Sequence, residues 1–286
     1  MSFLKLQFRP GINREITSYA DEGGWFDGDK IRFRMGYPES IGGWEKVSPF
    51  QFLGTCRALH TWTALDNTNY IGVGTNLKYY VLRGSDFFDI TPIRETTAPG
   101  AVTFAATDGS STITVTDAAH GALLNDFVTF SGAESLGGNV IADILNAEHQ
   151  ITSIIDGNTY TIAVSVTANA SDTGNGGASV VGVYQINTGL DTSVLGTGWG
   201  AGIWGGGGWG SPSGTAIPGA QLSLWSHDNY GEDLVINVRD GGIFYWDESA
   251  GLNARAVPLT ALAGANSVPT LARDVLVSDR DRHVLA

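Results

Sequence analysis

Between Arg94 and Arg239 the sequence contains neither lysine nor arginine. The same stretch carries 13 acidic residues, while the rest of the chain holds 16 basic and 16 acidic ones, so the net charge of −13 resides entirely in this central segment. A surface without cations cannot replace the counterions of a phosphate backbone, which excludes sequence-specific nucleic-acid recognition there. Cys56 is the single cysteine, so an intrachain disulfide is excluded; its thiol reads as buried, in a protein made in a reducing cytosol. No run of about 18 apolar residues occurs, which argues against a helical membrane span. The opening stretch from Met1 to Phe8 is too short and too polar for a secretory signal.

Glycine is abundant, at 39 of 286 residues against 9 prolines. It is costly inside helices and useful in turns, and with Thr, Val, Ile and aromatics plentiful the balance is that of a turn-rich β-protein. The chain divides into five regions. Residues 1–50 are turn-rich, with one alternating strand at Lys30-Ile31-Arg32-Phe33-Arg34. Residues 51–95 read as four short strands, Arg57 to Leu65, Tyr70 to Gly74, Leu77 to Leu82 and Phe87 to Ile90, broken by Asp66-Asn67, Thr75-Asn76 and Gly84-Ser85. Residues 96–187 form an independent small β-barrel or sandwich: strands Thr112 to Thr116, Phe127 to Ser131, His149 to Ile155, Thr159 to Val164 and Ala178 to Tyr184, with one or two helical turns within Asn139 to Glu148. The sharpest hairpin signal in the chain is Ile155-Asp156-Gly157-Asn158-Thr159. Residues 188–219 are a low-complexity Gly/Trp-rich loop. Residues 220–286 return to the earlier pattern.

That return is an internal repeat. Trp62 before Asp66-Asn67 is echoed by Trp225 before Asp228-Asn229, Ile71-Gly72-Val73 by Leu234-Val235-Ile236, Tyr79-Tyr80-Val81 by Phe244-Tyr245-Trp246, and Phe87 to Ile90 by Ala254 to Val257. A third copy starts at Asp274-Val275-Leu276-Val277, turns at Asp279 to Arg282 and continues into His283-Val284-Leu285. Repeated four-stranded meanders imply a partial β-propeller, two blades and part of a third, with the barrel inserted between them. Trp62, Tyr79, Trp225 and Tyr245 are the expected blade core. Two blades and part of a third leave an open edge, which implies a fragment of a longer chain or completion by another chain.

The blocks Phe8-Arg9-Pro10-Gly11-Ile12-Asn13-Arg14, Glu22-Gly23-Gly24-Trp25, Asp27-Gly28-Asp29-Lys30-Ile31-Arg32-Phe33-Arg34 and Ile41-Gly42-Gly43-Trp44 resemble the opening of packaged-DNA stabilisation or tail-nozzle proteins of short-tailed bacteriophages. The resemblance covers residues 1–94 and resumes from 220. It implies a virion structural protein of the tail, made in the host cytoplasm. It also implies a propeller that assembles as a homo-oligomer with portal-proximal proteins and forms part of the channel for DNA ejection. DNA would pass without sequence-specific binding, and an acidic or neutral lumen suits that passage. Members of the family are usually longer than this chain, which favours the fragment. The blocks Asp117-Ala118-Ala119-His120-Gly121, Asn125 to Gly132 and Asn158-Thr159-Tyr160-Thr161-Ile162 are similar to the small β-barrel insertion first described in ubiquitin-activating enzymes, a likeness that carries no chemistry here.

The residues themselves point to no catalysis. His60, His120, His149, His227 and His283 are scattered without metal-ligand spacing, so neither metal nor cofactor is expected. Before Gly121, His120 reads as a turn histidine; His60 and His227, in similar places in the two repeats, read as blade packing. No Gly-x-Ser-x-Gly elbow and no phosphate loop occur. The acidic pairs Asp279/Asp281 and Glu232/Asp233 read as solvated hairpin tips. The expectation is therefore a non-enzymatic protein. Trp199, Trp204 and Trp209 are the candidate contact residues, read as covering the propeller or meeting a subunit. The alternative is a glycan-binding tail module built on this Trp-rich loop.

Overall fold

The computed structural model describes residues 8–17, 19–20, 23–43, 45–191, 222–278, 280 and 283–286. It has two compact units, Met1–Pro49 and Phe50–Ala286. In the first unit, β1 (Ile31–Arg34) pairs antiparallel with β2 (Tyr37–Ser40), and Ile12 bridges Trp25. Alternation places Ile31 and Phe33 on the sheltered face and Arg32 and Arg34 outward. The Trp25 ring meets Phe8 at 5.7 Å and Phe33 at 6.3 Å between centroids, which gives this small unit its apolar centre.

Among its described residues the second unit is all-β apart from one short α-helix and two 3-10 turns. Blade 1 is a meander of β3 (Cys56–Thr63), β4 (Asn69–Thr75), β5 (Tyr79–Arg83) and β6 (Asp86–Asp89), paired in that order. The insertion contributes β7 (Ile93–Thr96), β8 (Thr103–Ala106), β9 (Thr112–Thr116), β10 (Phe127–Ser131), helix α1 (Ala142–Leu145), β11 (Glu148–Asp156), β12 (Thr159–Ala163), β13 (Asp172–Asn175) and β14 (Val181–Gln185). Blade 2 is a second meander, β15 (Trp225–Tyr230), β16 (Asp233–Val238), β17 (Ile243–Trp246) and β18 (Val257–Pro258). A third sheet pairs β19 (Leu276–Ser278) with β20 (His283–Leu285). The chain is thus two propeller-type blades and the start of a third, with a small barrel inserted.

Period-2 alternation explains how the blades stack. In blade 2, Trp225, His227, Leu234, Ile236, Val238, Phe244 and Trp246 lie on one face and join Trp62, Tyr70, Tyr79 and Val81 of blade 1 in one core. Val235 and Ile243 lie on the other face and join Ala272, Val275 and Val277 beside the third sheet. Blade 2 therefore buries one face against blade 1 and the other against the third sheet. The first strands β3, β15 and β19 follow one another side by side, β15 touching both neighbours. The remaining face of blade 1 is covered by its own leader, where Phe52 packs on Tyr80 and Phe87 and the Leu53 amide donates to Tyr80 Oη at 3.3 Å.

The insertion is an eight-stranded antiparallel sheet, in the order β13-β8-β9-β12-β11-β10-β14-β7, wrapped around one core. Phe104, Phe130, Tyr160, Tyr184, Ile113 and Ile151 are among its fully buried side chains. The hairpin at Asp156-Gly157-Asn158-Thr159 forms, with neither central residue at positive φ. Asn158 is held instead by its amide donating to Asp156 Oδ1, while its side chain accepts the Ala119 amide at 2.8 Å. Strands β7, β8 and β13 lie outside the sequence reading. Thr103-Phe104-Ala105-Ala106 is short and half alanine; it pairs with the next strand β9 on one side and with the distant β13 on the other.

Two sequence expectations are corrected. Counted outward from the first hairpin of each blade, Trp62 sits in the second cross-strand pair and Trp225 in the sixth, so the two tryptophans are not equivalent. His60 and His227 are: each lies in the fourth pair from its turn, opposite Gly72 and Ile236. The echoes are shifted because the first turn of blade 1 spans five residues and that of blade 2 spans two. Cys56 is only half buried, its thiol 3.6 Å from the Ala58 carbonyl.

Candidate functional site at the seam between the blades

The seam between blades 1 and 2 brings together Trp62, Tyr79, Trp225, His60 and His227 of the residues singled out in the sequence. At one end Trp62 stacks on Tyr70 at 5.3 Å, and both meet Trp246 edge-on, at 6.4 and 6.0 Å. At the other end Trp225 meets Tyr79 edge-on at 5.0 Å. Large buried aromatics contribute about 1.5–3 kcal/mol each through area, and well-oriented pairs about 0.5–1.5 kcal/mol more. Two of the indoles donate across the seam: Trp62 Nε1 to the Glu232 carbonyl at 2.8 Å, and Trp225 Nε1 to the Thr75 carbonyl at 2.6 Å. Tyr70 Oη donates to Glu248 Oε1 at 2.7 Å; burial and that carboxylate push its hydroxyl up to about 12. Tyr245 departs from the expected grouping, because the odd–even register puts it on the opposite face of blade 2. There its ring lies 6.5 Å from Tyr230 and its hydroxyl donates to Asp233.

Between the aromatic ends lie His60 and His227, with ring centroids 5.1 Å apart. His227 Nδ1 lies 3.0 Å from Tyr79 Oη, and His60 Nε2 lies 3.3 Å from Asn229 Oδ1. Burial, then the neighbouring His60, push His227 down to about 4.

A second cluster joins the seam to the insertion. Lys78, 4% exposed, bonds Asp89 Oδ2 at 2.7 Å and Glu148, and its ammonium stands 4.5 Å from the Phe127 ring centre. Arg255 binds Asp89 Oδ1 at 2.6 Å and Glu148 Oε2 at 3.8 Å, and Gln185 Nε2 donates to Glu148 Oε2 at 2.6 Å. Burial pushes Asp89 up, but the charges of Lys78 and Arg255 outweigh it and hold the carboxyl below its usual value. Two cations and two carboxylates drawn from blade 1, blade 2 and the insertion thus neutralise one another where the three meet. Sequence reading missed this cluster. The available signal was Lys78 itself, a lone cation between Leu77 and Tyr79-Tyr80 at the start of a buried strand.

The chain leaves and re-enters the described region at one place. Leu190 bridges Leu222, and the Ser223 amide donates to the Leu190 carbonyl at 2.8 Å. Arg57 donates to the Ser223 carbonyl at 2.9 Å and to Asp191, whose Oδ1 also accepts Asn76 Nδ2 at 2.7 Å. Trp199, Trp204 and Trp209 lie outside the described residues.

The other candidates are engaged in structure. Within the barrel, the Ala122 amide donates to His120 Nδ1, so His120 Nε2 carries the proton it gives to the Asp156 carbonyl at 3.0 Å. His149 Nε2 lies 3.2 Å from the Leu145 carbonyl. Tyr184 donates to Asp117 Oδ2 and accepts from Tyr160, each at 2.7 Å. Glu232 accepts the Leu65 amide at 2.7 Å, and Asp233 accepts Tyr245 and the Glu248 amide. Asp279 and Asp281 lie outside the described residues. Among the described residues, no group of three or more His, Cys, Asp or Glu is placed to hold a metal ion. Nor is any of the described helices long and apolar enough to cross a membrane, which leaves membrane-crossing strands untouched.

No protein-family model matches the chain, and no curated protein matches it. Among solved structures it is similar to the endosialidase of phage phi92, with 13% identity and a TM-score of 0.27, over 77% of this chain and 32% of that one. The chain thus spans less than a third of the endosialidase. This finding corrects the expectation of a non-enzymatic chain, because the similar structure is by name that of an enzyme. A TM-score of this size assigns this chain neither an activity nor a substrate.

Proposed function

We propose that this chain is a structural component of a bacteriophage tail, of the nozzle or packaged-DNA stabilisation kind, acting by assembly and channel closure. The observation that carries the reading is the serial stacking of β3, β15 and β19, each opening a new sheet, with the middle sheet burying both faces between its neighbours. The N-terminal blocks that resemble this family support it, and so does the charge distribution. A duplex sliding past a surface with no cation from Glu95 to Val238 finds no counterion replacement to hold it. The partners on this reading are further copies of the chain and portal-proximal tail proteins.

The test is the assembly state of the full-length protein, by sedimentation and by electron microscopy of purified particles. A ring-shaped oligomer is expected. A stable monomer at every concentration would overturn the proposal.

A further inference from the structure

The seam between the blades is built around two histidines, which is an unusual choice for a core. His60 from β3 and His227 from β15 sit in equivalent cross-strand positions, ring centroids 5.1 Å apart, with the Trp62/Trp246 cluster at one end and the Trp225/Tyr79 pair at the other. Among the described residues, neither ring has a carboxylate hydrogen-bond partner. His60 stacks on Trp62 at 5.8 Å and reaches Asn229, and His227 reaches Tyr79 Oη.

We propose that the His60–His227 pair makes the blade seam an acid-sensitive joint, closed with His227 neutral and loosened when His227 gains a proton.

The surroundings of His227 favour the neutral ring on balance, with burial and His60 outweighing the groups that favour a proton. From β3 it is faced by His60, which disfavours a second charge, and by the backbone of Leu59, whose hydrogen bond favours the protonated ring but is outweighed by burial. From β5 it is faced by Tyr79, whose own hydroxyl is held well above its usual range by burial, with Cys56 adding to the shift. From β16 its cross-strand partner is Ile236. Asp228 is adjacent on its own strand and favours the protonated ring, but its carboxylate turns to the opposite face, where Oδ2 accepts the Val277 amide at 2.8 Å. A proton on His227 therefore meets buried aromatic walls and a second imidazole. The sign follows from a folded value near 4 against an unfolded 6.5. The unfolded chain binds the proton first, so the stability contributed by neutral His227 is complete above pH 6.5 and is lost as pH falls toward 4.

The test is chemical unfolding of the full chain between pH 7 and 4, for the wild type, His227→Gln and His60→Gln. The wild-type unfolding constant is expected to rise about 100-fold more than that of His227→Gln across this range. Carboxylate effects are common to both proteins and cancel in the ratio. His60→Gln is expected to shrink the rise, because it removes the neighbouring imidazole. An unchanged pH dependence in His227→Gln would overturn the proposal. Should that variant fail to fold, the imidazole signals of histidine-labelled wild type decide: His227 staying neutral down to about pH 4 supports the joint, and titration near 6.5 sinks it.

Discussion

Trp225 lies against Gly74: a Cβ built on Gly74 would fall 2.6 Å from the indole Cδ1 and 2.7 Å from Cγ. The glycine sits in β4 with ordinary backbone geometry, so it is small because the neighbouring blade comes close. Gly74→Ala should destabilise the second unit by about 1–3 kcal/mol, the usual cost of overpacking. Adding Trp225→Leu should recover part of that loss. Urea unfolding of the two single variants and the double checks this; strictly additive losses would mean that the ring and the glycine are not in contact.

The ion cluster predicts an unequal pair of variants. Lys78→Ala leaves Asp89 and Glu148 facing each other with only Arg255 between them, and should cost about 3–5 kcal/mol. Glu148→Gln keeps the Gln185 contact and removes one charge from a side chain 32% exposed, so the expected loss is smaller, about 1 kcal/mol. The measurement is the unfolding free energy of each variant. A Lys78→Ala protein as stable as wild type would show that the cluster does not hold the insertion to the blades.

Asp89 adds a pH signature of its own. Its folded value lies below 3.8 because Lys78 and Arg255 outweigh burial, so its stabilisation is present above pH 3.8 and disappears as pH falls through the lower folded value. The stability difference between wild type and Asp89→Asn should stay level from neutral pH down to about 5 and shrink below about 4. This window lies beneath that of His227, and a titration of the two variants separates them.

In the barrel, Tyr184 donates to the buried carboxylate of Asp117. Tyr184→Phe should cost about 1–3 kcal/mol, because it strips a donor from a desolvated acceptor. Tyr160→Phe should cost less, since Tyr160 donates only to the Tyr184 hydroxyl. Thermal unfolding of the two variants ranks them, and the reverse order would reassign the direction of the hydrogen-bond chain.

Arg57 holds together the two ends of chain at Asp191 and Ser223. Its side chain is 16% exposed and spends its donors on backbone carbonyls and one carboxylate. Arg57→Ala should lower stability by about 1–3 kcal/mol, and Arg57→Lys should recover little, because an ammonium lacks the planar fork. Proteolytic cleavage rates near residues 188–191 and 222–224, measured on the intact chain, should rise in both variants.

Much of the fold was legible because strands and hairpins are written in local chemistry. Alternating side chains around Arg57 to Leu65 and the turn formers at Asp66-Asn67 and Gly84-Ser85 define blade 1 without reference to anything distant. The same holds for Thr112 to Thr116 and Phe127 to Ser131, which the structure reproduces residue for residue. Nearness to Trp62 and Trp225 places His60 and His227 alike in the sequence; those tryptophans match by residue type but occupy opposite ends of the seam, while the histidines share the fourth pair from their turns.

By itself, then, the sequence determined the all-β class, the meander pattern and the division into blades and insertion. Side-chain alternation and turn chemistry act over a few residues and need no partner. Only the tertiary structure decided that Tyr245 turns away from the seam, that Lys78 is balanced by Glu148 from another part of the chain, and that Trp62 caps a carbonyl 170 residues away. Such contacts depend on which sheet faces stack and in what register, and that is set by packing between segments remote in sequence.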